Sequence, residues 1–451
     1  MNKTIFTLLF GASITANAQL SPSITSWLQN LSGITGSHYV NNNPTPIQDA
    51  TAANVQSVQY STNWVYVASF GIPAYPTGPF LDGNPSIAQA QSGYFKFPLN
   101  PTQNTTTPTP TNGGNIGAFI NGVALFDYRD GVSWRNSTQS LGGGPLGPPG
   151  DNVWNRDAVV AERVGFDCIK GHPAMGNYHH HQNPSAFNLD LVEISAICDI
   201  YAADGLYVID STQHSPLIGF AYDGFPIYGA YGFKNIDGSG GLSRMKSSYS
   251  LRNITVRTVY ANGQDVTDGP MVGATYPLGY FREDYEYFAA QTGMQDYLDE
   301  HNGRFCVTPE YPQGTYAYFC TVDQNWNSAY PYVVGPTFYG VKTASKVQNI
   351  TESVTTYVPN TAGVAHSEAV KVTVYPNPAS DFVAVQIPAA SQENWTITLY
   401  DVTGKSIQKT EIKQGSTIAL MDLQTVYEGN YVLSLSNGKI VLNRTVNVRK
   451  D

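Results

Sequence analysis

Four of the eight histidines in this 451-residue chain fall within ten residues, as Gly171-His172-Pro173 and then Tyr178-His179-His180-His181. Clustered imidazoles repel one another when protonated, whereas neutral rings aimed at one point offer nitrogen ligands to a metal ion. In an extended strand, residues two apart share a face, so His179 and His181 should point one way while Tyr178 and His180 point the other. A third ligand is expected from His172, beyond the Gly-His-Pro turn, and a fourth from His214 in His214-Ser215-Pro216. Such a set suits one Zn or Cu ion. Glu162, Asp167 and Asp223 are the carboxylates expected to orient the rings, and Glu162 and Asp223 double as candidate general acid–base groups.

Two readings compete with a metal centre. In one, the histidines of residues 172–214 only order a loop-rich core, and the chain is a non-catalytic surface module holding polysaccharide, another envelope component or a small molecule on its tyrosines. In the other, histidine and aspartate hydrolyse a substrate without metal. Weaker motifs add little. Asn235-Ile236-Asp237-Gly238-Ser239-Gly240 opens like a calcium loop, but its twelfth position is Lys246 where glutamate is needed. No G-x-S-x-G elbow occurs to activate a serine. A copper brace requires histidine as the first mature residue, and cleavage before Gln19 leaves none there.

The elements that must carry these residues read as short strands. Charged residues make up 13%, aromatics 12% with 30 tyrosines, and 42 glycines and 28 prolines punctuate the chain, a profile that favours a mainly β, turn-rich fold. Lys plus Arg is 24 against 34 for Asp plus Glu, with no basic stripe, so nucleic acid is not an expected partner. Lys3, the apolar run Ile5–Phe10 and Ala16-Asn17-Ala18 read as a secretory signal over residues 1–18, and no later run is long and apolar enough to span a membrane as a helix. Export favours disulfides, for which four cysteines allow three pairings. Cys306 and Cys320 flank a turn and are expected to pair, leaving Cys168 with Cys198.

Residues 19–54 read as a polar leader or edge strand, 55–340 as a β-rich domain, 341–370 as a linker and 371–451 as a small β-sandwich. Short helices are expected over Trp154–Val164 and Glu283–Gln291, and Asp299-Glu300-His301 reads as a helix cap. Leu141–Gly150 reads as irregular.

Two resemblances rest on particular blocks. Asp157–Glu162, Asp167-Cys168, Gly171-His172-Pro173, Gly176, Tyr178-His179-His180-His181, His214–Pro216, Gly219–Gly229, Met245–Tyr249, Asn302–Phe305, Thr308–Pro312 and Gly314–Tyr318 resemble the YHYH family over roughly residues 55–340. The resemblance implies that these residues matter and carries no settled reaction. His180 departs from it, standing where the motif has tyrosine. Val374-Tyr375-Pro376-Asn377-Pro378, Leu399–Lys405, Gly429-Asn430-Tyr431 and the Arg449-Lys450 end are similar to the C-terminal sorting domain of type IX secretion substrates. That resemblance implies a secreted or cell-surface protein of a Gram-negative bacterium, handed through the periplasm and outer membrane by the type IX machinery, usually with removal of the domain.

Overall fold

In the computed structural model, residues 20–43, 45–83, 86–144, 147–184, 211–289, 293–359, 372–387, 393–401, 405–437 and 441–450 are described. Residues 1–18, read above as a secretory signal, Cys198 and most of the stretch read as linker lie outside them. The chain is mainly β and forms two units, residues 1–357 and 358–451.

The first unit is organised by an eight-stranded mixed sheet. Its order is Gly171–Ala174, Asn177–His180, Ala124–Phe126, Asn115–Phe119, Leu217–Ala221, Pro226–Tyr228, Thr315–Phe319 and Gly303–Cys306. A five-stranded sheet contains Val55–Tyr60, Trp64–Ser69 and Tyr94–Pro98, edged by Lys346–Val347 and Thr355–Tyr357 from the stretch read as linker. One core joins the two sheets. Val58, Val67, Phe95 and Phe97 from the smaller sheet cluster with Ala118, Leu125, Phe220 and Ile227 from the larger. Trp27 bridges them, its ring 5.4 Å from those of Phe97 and Phe220. Each fully buried Val, Leu, Ile or Phe among them contributes about 1.5–3 kcal/mol, so this apolar seam holds the two sheets together.

The second unit packs a three-stranded sheet (Thr373–Tyr375, Phe382–Gln386, Ile418–Asp422) and a four-stranded one (Ser406–Ile412, Trp395–Tyr400, Gly429–Ser436, Val441–Val448) around Val383, Val385, Ile397, Leu399, Leu433 and Leu435. Alternating buried and exposed residues along Ile418–Asp422 are the period-two signature of a strand with one wet face.

Several local expectations are corrected. Trp154–Val164 holds one helical turn, Ala158–Ala161, capped by the Asp157 side chain accepting from the Val159 N–H at 2.9 Å, before a 3-10 turn at Arg163–Gly165. Glu283–Gln291 is not a helix in its described part: a 3-10 turn at Arg282–Asp284 leads into strand Tyr285–Tyr287, which pairs with Tyr249–Leu251. Ser140–Gly143 is a strand on Arg129–Arg135, despite its glycines. No helix follows Asp299, whose Oδ1 instead accepts from the His301 and Gly303 N–H groups and the Tyr316 hydroxyl.

Cys306 and Cys320 are buried free thiols, so the expected bridge between them does not form. The hairpin register is the reason. Cys306 stands opposite Thr315, which puts Cys320 five residues further along the strand, about 16 Å away, where a disulfide needs Cα atoms within about 4.4–6.8 Å. Cys168 is disulfide-bonded, while no disulfide joins two described cysteines.

Candidate metal centre

The site is built by a tight hairpin. Gly171–Ala174 pairs with Asn177–His180 so that Ala174 faces Asn177 and His172 faces His179, leaving a two-residue loop, Met175-Gly176. Both loop residues have positive φ, 51° and 83°, as the turn that matches the twist of paired strands requires. The Gly176 N–H is donated to Ser86 Oγ at 3.2 Å, and a Cβ there would stand 2.9 Å from that of Gln89. This turn fixes the register, and a slip of one residue would move every histidine to the wrong face.

The two faces do different work. On one, the Tyr178 hydroxyl donates to Asp167 Oδ2 at 2.7 Å, and Asp167 Oδ1 accepts from the Ile169 and Gly171 N–H groups at 3.0 Å each. A Cβ on Gly171 would stand 2.3 Å from the Tyr178 hydroxyl oxygen, so the Gly-His-Pro glycine makes room for the motif tyrosine. His180 shares this face, with Nε2 2.9 Å from the Tyr75 hydroxyl and the Phe119 ring edge-on to it. The substitution of histidine for tyrosine at 180 therefore falls on the packing face and adds no ligand to the cluster.

On the other face, His172, His179 and His181 converge. His181 Nε2 lies 3.0 Å from His179 Nε2 and 3.2 Å from His172 Nε2, and one ligand atom from each ring falls within 4.8 Å of the other two. Nitrogens sharing a tetrahedral ion with bonds of about 2.0–2.1 Å stand about 3.3–3.4 Å apart, so the spacing fits a common ion.

Backbone carbonyls fix two of the rings. His179 Nδ1 lies 2.8 Å from the Asn177 carbonyl and His181 Nδ1 lies 2.6 Å from that of Asp127. A carbonyl can only accept, so each Nδ1 carries the proton and each Nε2 turns a lone pair toward the centre. Aromatic rings close the surroundings. Phe126 stacks on His179 at 3.8 Å, and Phe166 meets His172 edge-on at 4.8 Å. Burial, with repulsion from neighbouring imidazoles, holds His172 and His179 well below the usual histidine range. Burial pushes His181 down to about 4. The rings are thus neutral, the form that binds metal.

Glu162, just past the helical turn, brings Oε2 to 3.4 Å from His172 Nε2 and 3.6 Å from His181 Nε2. Burial, then the nearby Asp130 charge, pushes its carboxyl up to about 8.

The other expected members lie elsewhere. His214 packs against Tyr228, Phe233 and Phe319, with Nδ1 2.8 Å from the Ser215 carbonyl. Its contact strand Pro226–Tyr228 is four places from Asn177–His180 in the sheet, about 19 Å at about 4.8 Å per strand. Asp223 sits in the turn before that strand, where Oδ2 accepts from the Tyr318 hydroxyl at 2.6 Å and the Gly340 N–H at 2.8 Å. Burial raises it to about 6, but it meets no histidine. Asp167 supports the hairpin through Tyr178 and touches no ligand ring. Asp237 takes the Ser239 N–H and hydroxyl in an exposed turn, and Lys246, at the twelfth position of the calcium-like segment, pairs with Asp296 outside it. Sequence reasoning missed the Asn177 and Asp127 carbonyls, which no residue type announces, and Phe126, whose strand becomes a neighbour only through a parallel pairing.

These features define a β-rich protein with a hairpin-borne histidine cluster. The chain belongs to the YHYH protein family, whose profile matches residues 94–331. Residues 373–449 match the secretion system C-terminal sorting domain, so the chain is a type IX substrate bound for the cell surface or the medium and engages that machinery. No helix among the described residues is long and apolar enough to cross a membrane. No curated protein is significantly similar to the chain.

Proposed function

We propose that His172, His179 and His181 bind one transition metal ion, Zn or Cu, in a centre with three protein nitrogens and a further position faced by Glu162. The observation that carries this reading is the convergence of three buried Nε2 atoms, two of them held by carbonyls on their Nδ1 side. With the His179 and His181 protons held on Nδ1 by carbonyls, their Nε2 lone pairs face each other at 3.0 Å, and like lone pairs so close repel unless something positive lies between them. Three nitrogens plus an open place is the arrangement of metal sites that act on a ligand, in contrast to closed structural sites. Such an ion supplies Lewis acidity, and Glu162 stands where it can hold or take a proton beside the open position.

The test is metal analysis by inductively coupled plasma mass spectrometry on protein purified without a histidine tag, beside His179→Ala/His181→Ala. One equivalent per chain in the parent and near zero in the variant is expected. Equal content in both ends the proposal.

A further inference from the structure

A second feature of the first unit is used neither by the metal centre nor by the sorting domain. Between strand Asn155–Asp157, the turn at Tyr260–Asn262 and the segment Arg282–Tyr285 lies a cavity of about 500 Å³, within the range of about 300–1,000 Å³ usual for small-molecule sites. Its walls combine tyrosine rings with planar polar groups. Tyr285 and Tyr330 are stacked at 4.0 Å with 5° between their planes, and Tyr249 meets Tyr330 edge-on at 5.3 Å. Arg129 and Arg282 supply guanidinium groups and Asn152 and Asn262 amide groups, while the Asn155 amide is engaged with Glu283 Oε1 at 2.8 Å and the Asn152 carbonyl at 3.3 Å.

We propose that this cavity binds a neutral glycosyl unit of a polysaccharide. The charge pattern selects neutral over acidic sugar. Arg129 Nε is 3.0 Å from Asp127 Oδ1, and Arg282 Nε is 3.3 Å from Glu283 Oε1, so each guanidinium in the wall already has its carboxylate. Arg282 Nη1 is itself buried and meets no acceptor among the described residues, an unsatisfied donor on a side chain that is 19% exposed overall. Forked N–H groups and amides match adjacent hydroxyls on a ring, and tyrosine faces cover the C–H side of a pyranose while their hydroxyls stay polar. Extended aromatic packing also keeps the wall rigid, which lowers the ordering cost of binding. An exported protein meets glycans in the envelope and in the medium.

The site does not depend on a bound metal, yet the two are joined through one residue. Asp127 gives its carbonyl to His181 and its carboxylate to Arg129.

Isothermal titration calorimetry of the full chain with cellohexaose, mannohexaose and xylohexaose, beside hexagalacturonate, tests the proposal. Saturable binding of at least one neutral hexasaccharide is expected, stronger than that of the acidic one. Ala261→Trp, an exposed rim position that would fill the mouth, and Arg282→Gln should each weaken it at least tenfold, with far-UV circular dichroism and metal content as in the parent. No neutral binding, preference for hexagalacturonate, or binding indifferent to Ala261→Trp each overturns it. Because metal content is read separately, failure here leaves the metal reading standing, and the reverse also holds.

Discussion

Two buried polar clusters sit toward opposite ends of the same eight-stranded sheet, and only one has the makings of a reactive centre. Around Asp223 and His214, Tyr318, Gly340 and Phe225 donate to the carboxylate, and the imidazole is packed by three aromatic rings with Nδ1 against the Ser215 carbonyl, leaving Nε2 as a single unpartnered nitrogen among the described residues. Around His172, His179 and His181, the hydrogen-bonding is deliberately incomplete. The outer nitrogens of two rings are matched by carbonyls, and the inner ones are turned on each other. Both places are buried, and both lie in recognisable motif blocks. What separates them is convergence: a lone unpartnered nitrogen sits among aromatic rings at His214, whereas three imidazole nitrogens meet at one point in the other cluster.

The largest test of this contrast is metal content across variants. His172→Ala should lower bound metal to a small fraction of an equivalent, while His214→Ala keeps a full equivalent. Comparable losses in both would erase the distinction between the two clusters.

The hairpin that carries the first cluster is the next place to press. Gly171→Ala would put a methyl carbon 2.3 Å from the Tyr178 hydroxyl oxygen. We expect a loss of about 1–3 kcal/mol from overpacking, read as a lower urea midpoint, together with reduced metal content as the strand shifts. Parent-like stability would mean that the two strands are looser than they stand here.

Asp223→Ala should cost about 1–3 kcal/mol, because it strands buried donors, yet leave metal stoichiometry unchanged. A fall in metal content in folded Asp223→Ala protein would return that aspartate to the centre.

Glu162→Gln should have a smaller effect, weakening metal about 10-fold or somewhat more without abolishing it, as removal of a carboxylate beside a ligand set typically does. Competition titration with a chromophoric chelator measures this, and an unchanged affinity would show Glu162 to be a bystander. The smallest effect is expected from His180→Tyr, which restores the family residue on the packing face. Metal content should match the parent, with thermal stability altered only by repacking against Tyr75 and Phe119. Loss of metal would place His180 among the ligands.

Part of this site was legible from residue order. Strand alternation alone separates His179 and His181 from Tyr178 and His180, whereas Gly171-His172-Pro173, expected as a turn, is a strand that carries His172 opposite His179, and the turn falls at Met175-Gly176. His214 was misplaced because closeness in a motif block carries no information about which strand of a mixed sheet a block will join. The failed Cys306–Cys320 pairing has the same origin: flanking a turn does not make two residues opposite, since register does. Glu283–Gln291 looked helical by spacing, but Tyr285–Tyr287 found a strand partner, and tertiary pairing overrode a weak local preference.

The order of residues by itself settled the β-rich character, the sorting domain, the address and the two-faced histidine strand, because composition, turn chemistry and period-two alternation act over a few residues at a time. Tertiary structure alone decided which histidine joins His179 and His181, that Glu162 faces them, and that the Asp127 and Asn177 carbonyls set their protons. Those outcomes depend on strand order and register, which are fixed only when distant segments bury their apolar faces together.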